Sequence, residues 1–147
     1  MYNAIDIAIY ILYFCTEIDK PITNMKLQSM MYFLQGNAMQ REREEPIFDE
    51  DFRAMQIGPI IVSVYHEFRK YTAYDIVIDK LDEKIKSTIS YEDKEFIDDI
   101  VTKHIDSTAW ELADLASQGP CNVVFKMYGP NSKIPKAVIK KFFMMYR

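Results

Sequence analysis

At 147 residues, with 49% hydrophobic and 14% aromatic residues, the chain is long enough to form one domain whose core needs no disulfide or metal. A net charge of −4 gives no general attraction to nucleic acid or anionic lipid, and only four glycines argue against an all-β fold rich in tight turns. The two cysteines show no disulfide-framework pattern, so we expect a reducing, cytoplasmic location.

Two apolar helices are predicted at the start of the chain. The first runs from about Asn3 to Glu17 and is apolar on most sides, which is typical of a central helix. Its apolar run contains Asp6 and is shorter than the roughly 20 residues of a membrane span, so we expect no membrane partner. Thr23 or Asn24 can cap the second helix, which is expected to extend to roughly Arg43.

The middle of the chain is less regular. Residues 46–57 are predicted to form a loop with one short strand around Phe52–Gln56. Pro59 suits the first turn of a third helix, whose apolar side chains recur at i, i+3, i+4 and i+7 and which should end near Tyr71. The segment 72–89 is ambiguous, with a possible short strand at 76–78.

Three further helices are predicted towards the C-terminus. Ser90 can cap the fourth, and Thr108 with Glu111 forms a capping-box pattern that opens the fifth. Residues 123–127 could be extended, and Pro135 opens the last helix. Three residues of that helix are expected to face inward: Val138, Phe142 and Tyr146. The sequence therefore predicts a mainly α, single compact domain of about six helices with at most a small β element.

Residues that could carry catalysis are scarce. His66 and Glu67 are adjacent, so on a helix they diverge by about 100°, and no second histidine follows at the zinc-helix spacing. Cys121 and His104 could form a nucleophile and base, but nothing in their local sequence brings them together. A small hydrolase that uses Cys121 or His66 remains an alternative. The glycines are isolated and form no phosphate-binding loop, so we expect no metal and no cofactor.

The charge is unevenly distributed along the chain. Asp114 is the last acidic residue, and every charged residue after it is basic: Lys126, Lys133, Lys136, Lys140, Lys141 and Arg147. One interpretation is a solvated final helix with favourable charges near its C-terminus. The alternative is a nucleic-acid-binding regulator whose phosphate contacts come from Lys133, Lys136, Lys140 and Lys141.

Two segments carry the strongest signal in the sequence. The first is Lys26-Leu27-Gln28-x-x-x-Tyr32-Phe33-x-Gln35-Gly36. The second is Pro46-Ile47-Phe48-Asp49-Glu50-Asp51-Phe52-x-Ala54, which leads into Gly58-Pro59-Ile60-x-x-x-Val64-Tyr65. In order and spacing, these segments resemble the SocA-like Panacea domain family, which includes antitoxin-associated and phage-associated GepA-type proteins. The resemblance covers nearly the whole chain, so we expect one domain over residues 1–147. Ser117 and Cys121 stand where the family usually has His and Trp.

The resemblance implies a non-catalytic, protein-binding domain of a toxin–antitoxin system. Such a domain neutralises a toxin encoded nearby, or redirects it to a protease as an adaptor. We expect the partner-binding surface at the end of the second helix (Gln35, Gly36 and Met39), at the Gly58-Pro59 turn and at Tyr65. The alternative for Gln35 and Gly36 is structural, namely close helix packing and capping of a buried carbonyl.

Overall fold

The computed structural model describes residues 1–146 and has a mainly α architecture, as predicted. Its α-helices are α1 (Ala4–Glu17), α2 (Asn24–Ala38), α3 (Val62–Glu67), α4 (Glu83–Thr88), α5 (Tyr91–His104), α6 (Ala109–Ser117), α7 (Pro120–Tyr128) and α8 (Lys136–Tyr146). Its strands are β1 (Phe52–Met55), β2 (Gly58–Ile60) and β3 (Ser132–Ile134). A short 3₁₀ turn at Arg69–Tyr71 follows α3.

Four helices begin at the polar residues that the sequence indicates. The side chains of Asn3, Thr23 and Ser90 each accept a hydrogen bond from a backbone N–H in the first turn of α1, α2 and α5. At α6, Thr108 Oγ1 accepts from the Glu111 N–H at 3.1 Å, and Glu111 Oε1 accepts from the Thr108 N–H at 2.8 Å. These side chains satisfy backbone donors that have no partner inside the helix, so the helices start at these residues. The predicted starts are therefore confirmed.

Helix α2 is the centre of the fold. It packs against α1, α3, α5, α6, α8 and β2, and nearly all of its residues are buried. The helix ends at Ala38 rather than at the predicted Arg43, because the chain turns there. The Arg41 N–H donates back to the Ala38 carbonyl, and Glu44 adopts a positive φ of 53°.

A small antiparallel sheet packs against α2 through β2. Strand β1 lies in the middle, with β2 and β3 on either side, and Ala54 pairs with both Pro59 and Ser132. The prediction that Pro59 opens a helix is wrong. Pro59 lies in β2, which pairs with β1 alone, and an edge strand tolerates a residue without an N–H. The following helix, α3, is therefore shorter than predicted.

Two helices were not predicted. Residues 83–88 form α4, and 120–128 form α7, so the expected extended segment at 123–127 is instead helical. Pro120 occupies the first turn of α7, after Gly119 at a φ of 76°. At 76–78 there is no strand; Ile76 makes one isolated bridge to Ile22.

Helix α8 buries a different face from the one predicted. Ile139 and Phe143 point into the core, with exposed fractions of 1% and 6%. Val138 is 43% exposed and Tyr146 is 69% exposed, while Phe142 is half-buried. The phenyl ring of Phe143 packs at Gly36 of α2 and edge-on to Tyr32, and this close approach decides the rotation of the helix.

Candidate functional site

Gln35 lies inside the protein and holds a loop to α2. Its side chain is 1% exposed. Gln35 Nε2 donates to the carbonyl of Phe48 at 2.9 Å, and its Oε1 accepts from the N–H of Ile47 at 2.9 Å. These bonds satisfy backbone groups that the loop would otherwise bury without a partner. The structural alternative for Gln35, capping of a buried carbonyl, is what the structure contains.

Gln28, two helical turns before Gln35, does the same for the segment after the sheet. Its Oε1 accepts from the N–H of Ile61 at 2.9 Å, and its Nε2 donates to Asn24 Oδ1 at 3.1 Å. Asn24 Nδ2 in turn donates to the carbonyl of Tyr65 at 3.1 Å. From the sequence, Asn24 is predicted only as a possible cap of α2 and Gln28 only as part of the motif, and neither is predicted to hold another segment. Asn24, Gln28 and Gln35 follow one another at intervals of four and seven residues along an otherwise apolar helix face. This spacing is the signal that could have found the first two.

The other residues predicted on the partner-binding surface fall into two groups. Gly36, Met39, Gly58 and Pro59 are buried. A Cβ at Gly36 would overlap the ring of Phe143, so the absence of a side chain there allows α2 and α8 to pack closely. Tyr65 is 38% exposed and is the one predicted contact residue with a substantial exposed surface.

Tyr65 lines a surface groove beside the β1–β2 turn, which we call the hairpin groove. The groove has a volume of about 500 Å³. It is lined by Met55, Gln56, Ile57, Ile60, Val62, Tyr65, His66, Arg69 and Asn131. Ile57 and Val62 are 47% and 41% exposed, so apolar surface remains in contact with solvent here. His66 and Arg69 provide polar edges.

A second groove lies between α7 and α8, and we call it the α7–α8 groove. Its volume is about 560 Å³. It is lined by Gly119, Pro120, Val123, Ala137, Val138, Lys141, Phe142, Met145 and Tyr146. The basic charge of the final helix does not predict this groove, because the walls of the groove are mainly apolar.

Most lysines of the nucleic-acid alternative are already paired with carboxylates. Lys136 and Lys133 contact Asp51 at 2.7 and 3.5 Å, and Lys140 contacts Glu44 at 3.6 Å. Burial alone would raise the pKa of Asp51, but the hydrogen bond and charge of Lys136 hold that pKa below its ordinary value. Lys141 forms no ion pair within the described part of the chain.

Neither Cys121 nor His104 has the surroundings of an activated nucleophile or base. Cys121 is 1% exposed, its Sγ lies 3.8 Å from the carbonyl oxygen of Met55, and burial raises the pKa of its thiol. His104 stacks on Phe33 with 4.7 Å between ring centroids, and burial lowers its pKa. Residues 1–146 contain no group of three or more His, Cys, Asp or Glu side chains that could hold a metal ion.

Within the same residues, none of the helices combines the length and apolar character needed to cross a membrane. The fold and its grooves define a mainly helical domain in which buried amides hold a β-hairpin against a central helix.

The chain matches a known protein family. The model of the antitoxin SocA-like, Panacea domain matches residues 25–121, about two-thirds of the chain. The protein therefore belongs to the antitoxin SocA-like Panacea domain family, and the resemblance seen in its motifs is confirmed. The match runs from α2 to the start of α7 and includes the hairpin. Neither the curated proteins nor the solved structures provide a match.

Proposed function

We propose that this protein is a non-catalytic antitoxin that binds a protein toxin encoded nearby, in the cytoplasm, and that the hairpin groove contacts the toxin. Family membership supports the antitoxin role. The observation that carries the choice of surface is the exposed apolar lining of the hairpin groove within the family-matched residues. Every lining residue except Asn131 lies between residues 25 and 121.

The chemistry of the groove suits a protein partner. Tyr65 offers a large contact area at a low entropic cost, and tyrosine is enriched among residues that dominate binding energy. Ile57 and Val62 add apolar area on either side of β2. His66 and Arg69 form a polar rim that can bond to groups at the edge of an interface.

The core amides hold this surface in place before a partner arrives. Asn24 bonds to the carbonyl of Tyr65, and Gln28 bonds to the N–H of Ile61, directly before α3. A surface that is already ordered loses less conformational entropy on binding. We therefore infer that Asn24 and Gln28 act as positioning residues, while Tyr65, Ile57 and Val62 touch the partner.

Co-expression with the proteins encoded beside its gene tests the proposal. We expect one neighbour to inhibit growth when expressed alone, and the protein to relieve that inhibition and co-purify with it in a stoichiometric complex. The double variant Ile57→Glu/Tyr65→Ala should remain folded by circular dichroism, since both residues are exposed. It should lose at least about tenfold in affinity, because it removes apolar contact and places a charge in the groove.

The matched control is Tyr91→Ala, because Tyr91 is 81% exposed and lines neither groove. It should retain full neutralisation. Full neutralisation by the Ile57→Glu/Tyr65→Ala variant would contradict the choice of surface, whereas failure to find any toxic neighbour or stoichiometric protein would contradict the antitoxin role.

The amount of toxin that remains after protein synthesis is stopped distinguishes two outcomes of binding. A stable toxin indicates sequestration, and a toxin that disappears only when the protein is present indicates redirection to a protease.

A further inference from the structure

Helix α8 carries two apolar stripes, of which the core covers one. Ile139 and Phe143 form the buried stripe. Val138, Phe142 and Met145, spaced at i, i+4 and i+7, form a second stripe that lines the α7–α8 groove. Val138 is 43% and Met145 is 59% exposed. A helix at the surface of a globular protein normally needs a single apolar stripe. In the second stripe Phe142 packs partly against the core, at Gly119, whereas Val138 and Met145 keep exposed apolar surface.

Helix α7 supplies the opposite wall of this groove. Pro120 and Val123 line it, and Met127 continues their row at i+7 with 67% of its surface exposed. Gly119 and Ala137 also line the groove, and the ring of Phe142 packs at Gly119. Two apolar helical walls form a groove of the kind that accepts the apolar face of a third helix.

The charges around the groove indicate the sign of the charge that such a third helix should carry. No acidic residue follows Asp114 in the sequence. Lys141 lines the groove, and Lys126 lies one turn after Val123 on the same wall. Neither lysine is paired with a carboxylate of residues 1–146, in contrast to Lys133, Lys136 and Lys140. The rim is therefore positively charged and uncompensated.

We propose that the α7–α8 groove binds an acidic amphipathic helix of a second protein partner. The apolar side chains of that helix lie between Val123 and Val138, and its carboxylates contact Lys126 and Lys141. The groove lies mostly beyond the family-matched residues 25–121, so it is distinct from the hairpin groove and independent of the antitoxin proposal.

Two other occupants fit the observations less well. A two-fold dimer of this chain would place the same basic rim on both sides of the interface, which brings like charges together. Nucleic acid would meet mainly apolar walls, and three of the nearby lysines are already paired.

Two synthetic peptides test the proposal with the full-length protein. Both form an amphipathic helix with leucines at i, i+3, i+4 and i+7. One carries glutamates on the flanks, and the other carries lysines at the same positions. Fluorescence anisotropy should show that the acidic peptide binds at least about tenfold more tightly than the basic peptide, because its charges match those of the rim. Its affinity should fall as salt is added.

Four single variants localise the binding. Val138→Asp should weaken binding of the acidic peptide at least about tenfold, since it puts a repelling charge on an apolar wall. Lys141→Glu should weaken it several-fold and reduce the salt dependence. Val77→Asp and Lys80→Glu are the matched controls, because Val77 is 49% exposed, Lys80 is also exposed, and neither lines the groove. Both controls should bind as the natural protein does.

Three results would overturn the proposal. The first is equal binding of both peptides or binding of neither, and the second is an equal effect of Val138→Asp and Val77→Asp. The third is another occupant: a dimer in sedimentation that Val138→Asp dissociates, or a DNA duplex that binds more tightly than the acidic peptide and is lost with Lys141→Glu. The Ile57→Glu/Tyr65→Ala variant should bind the peptide normally, which keeps this test separate from the antitoxin test.

Discussion

Helices α2 and α8 pack against each other, and both carry apolar side chains on more than one face. In α2 every face is covered by another element, and the polar residues among them, such as Gln28 and Gln35, are bonded to the backbone of neighbouring segments. In α8 the face beside Ile139 is covered, and the face beside Val138 remains exposed. Apolar residues on more than one face are therefore buried in α2 but partly exposed to solvent in α8.

We propose that the difference separates two tasks in one small domain. Helix α2 uses buried amides to hold the loop at Ile47 and the start of α3 at Ile61, so the family-matched part keeps the hairpin groove in one shape. Helix α8 needs only one stripe to attach to this scaffold. The exposed part of its second stripe, at Val138 and Met145, lies beyond the matched residues.

The largest expected effect is on the buried amides of α2. Gln35→Leu leaves the carbonyl of Phe48 and the N–H of Ile47 buried without a partner, at about 1–3 kcal/mol each. We expect the free energy of unfolding to fall by about 2–6 kcal/mol in denaturant titrations. The control is Gln118→Leu at an exposed position, which should change it by less than about 0.5 kcal/mol. A loss for Gln35→Leu as small as that of the control would mean that the loop bonds are not part of the stable core.

A smaller effect is expected at the contact between the two helices. In Gly36→Ala the new methyl group overlaps the ring of Phe143, and overpacking of this kind costs about 1–3 kcal/mol. Alanine favours the helix by about 1 kcal/mol over glycine, so we expect a net loss of up to about 2 kcal/mol. A double-mutant cycle with Phe143→Leu measures the contact, because the smaller side chain should remove part of the penalty. Strict additivity would show that Phe143 does not press on Gly36.

The smallest effect is expected on the exposed stripe of α8. Val138→Asp places a charge where 43% of the native side chain already meets solvent, so the free energy of unfolding should change by less than about 0.5 kcal/mol. Thermal unfolding of Val138→Asp checks this, measured together with that of Val77→Asp, a variant at a position exposed to a similar extent. A loss of more than about 2 kcal/mol would place Val138 in the core, and the contrast between the helices would then disappear.

Prediction of the candidate site from sequence was partial for a physical reason. The motif around Gln35 and Gly36 indicates the family, but a motif does not say whether its residues face a partner or the interior. The structure places both residues inside, because Gln35 has backbone groups to satisfy and Gly36 has a phenyl ring against it. Tyr65 is different, because α3 is covered on one side only, so it retains an exposed surface.

The sequence by itself determined the mainly α class, the family and the starts of four helices. A cap such as Ser90 bonds to a backbone N–H three residues away, so all the information lies within one turn. Tertiary structure alone decided that Pro59 lies in a strand, that α7 is a helix and that α8 turns Ile139 rather than Val138 inward. Those outcomes depend on neighbours far away in the chain, such as Phe143 meeting Gly36, and no local pattern records which of two apolar faces will find such a neighbour.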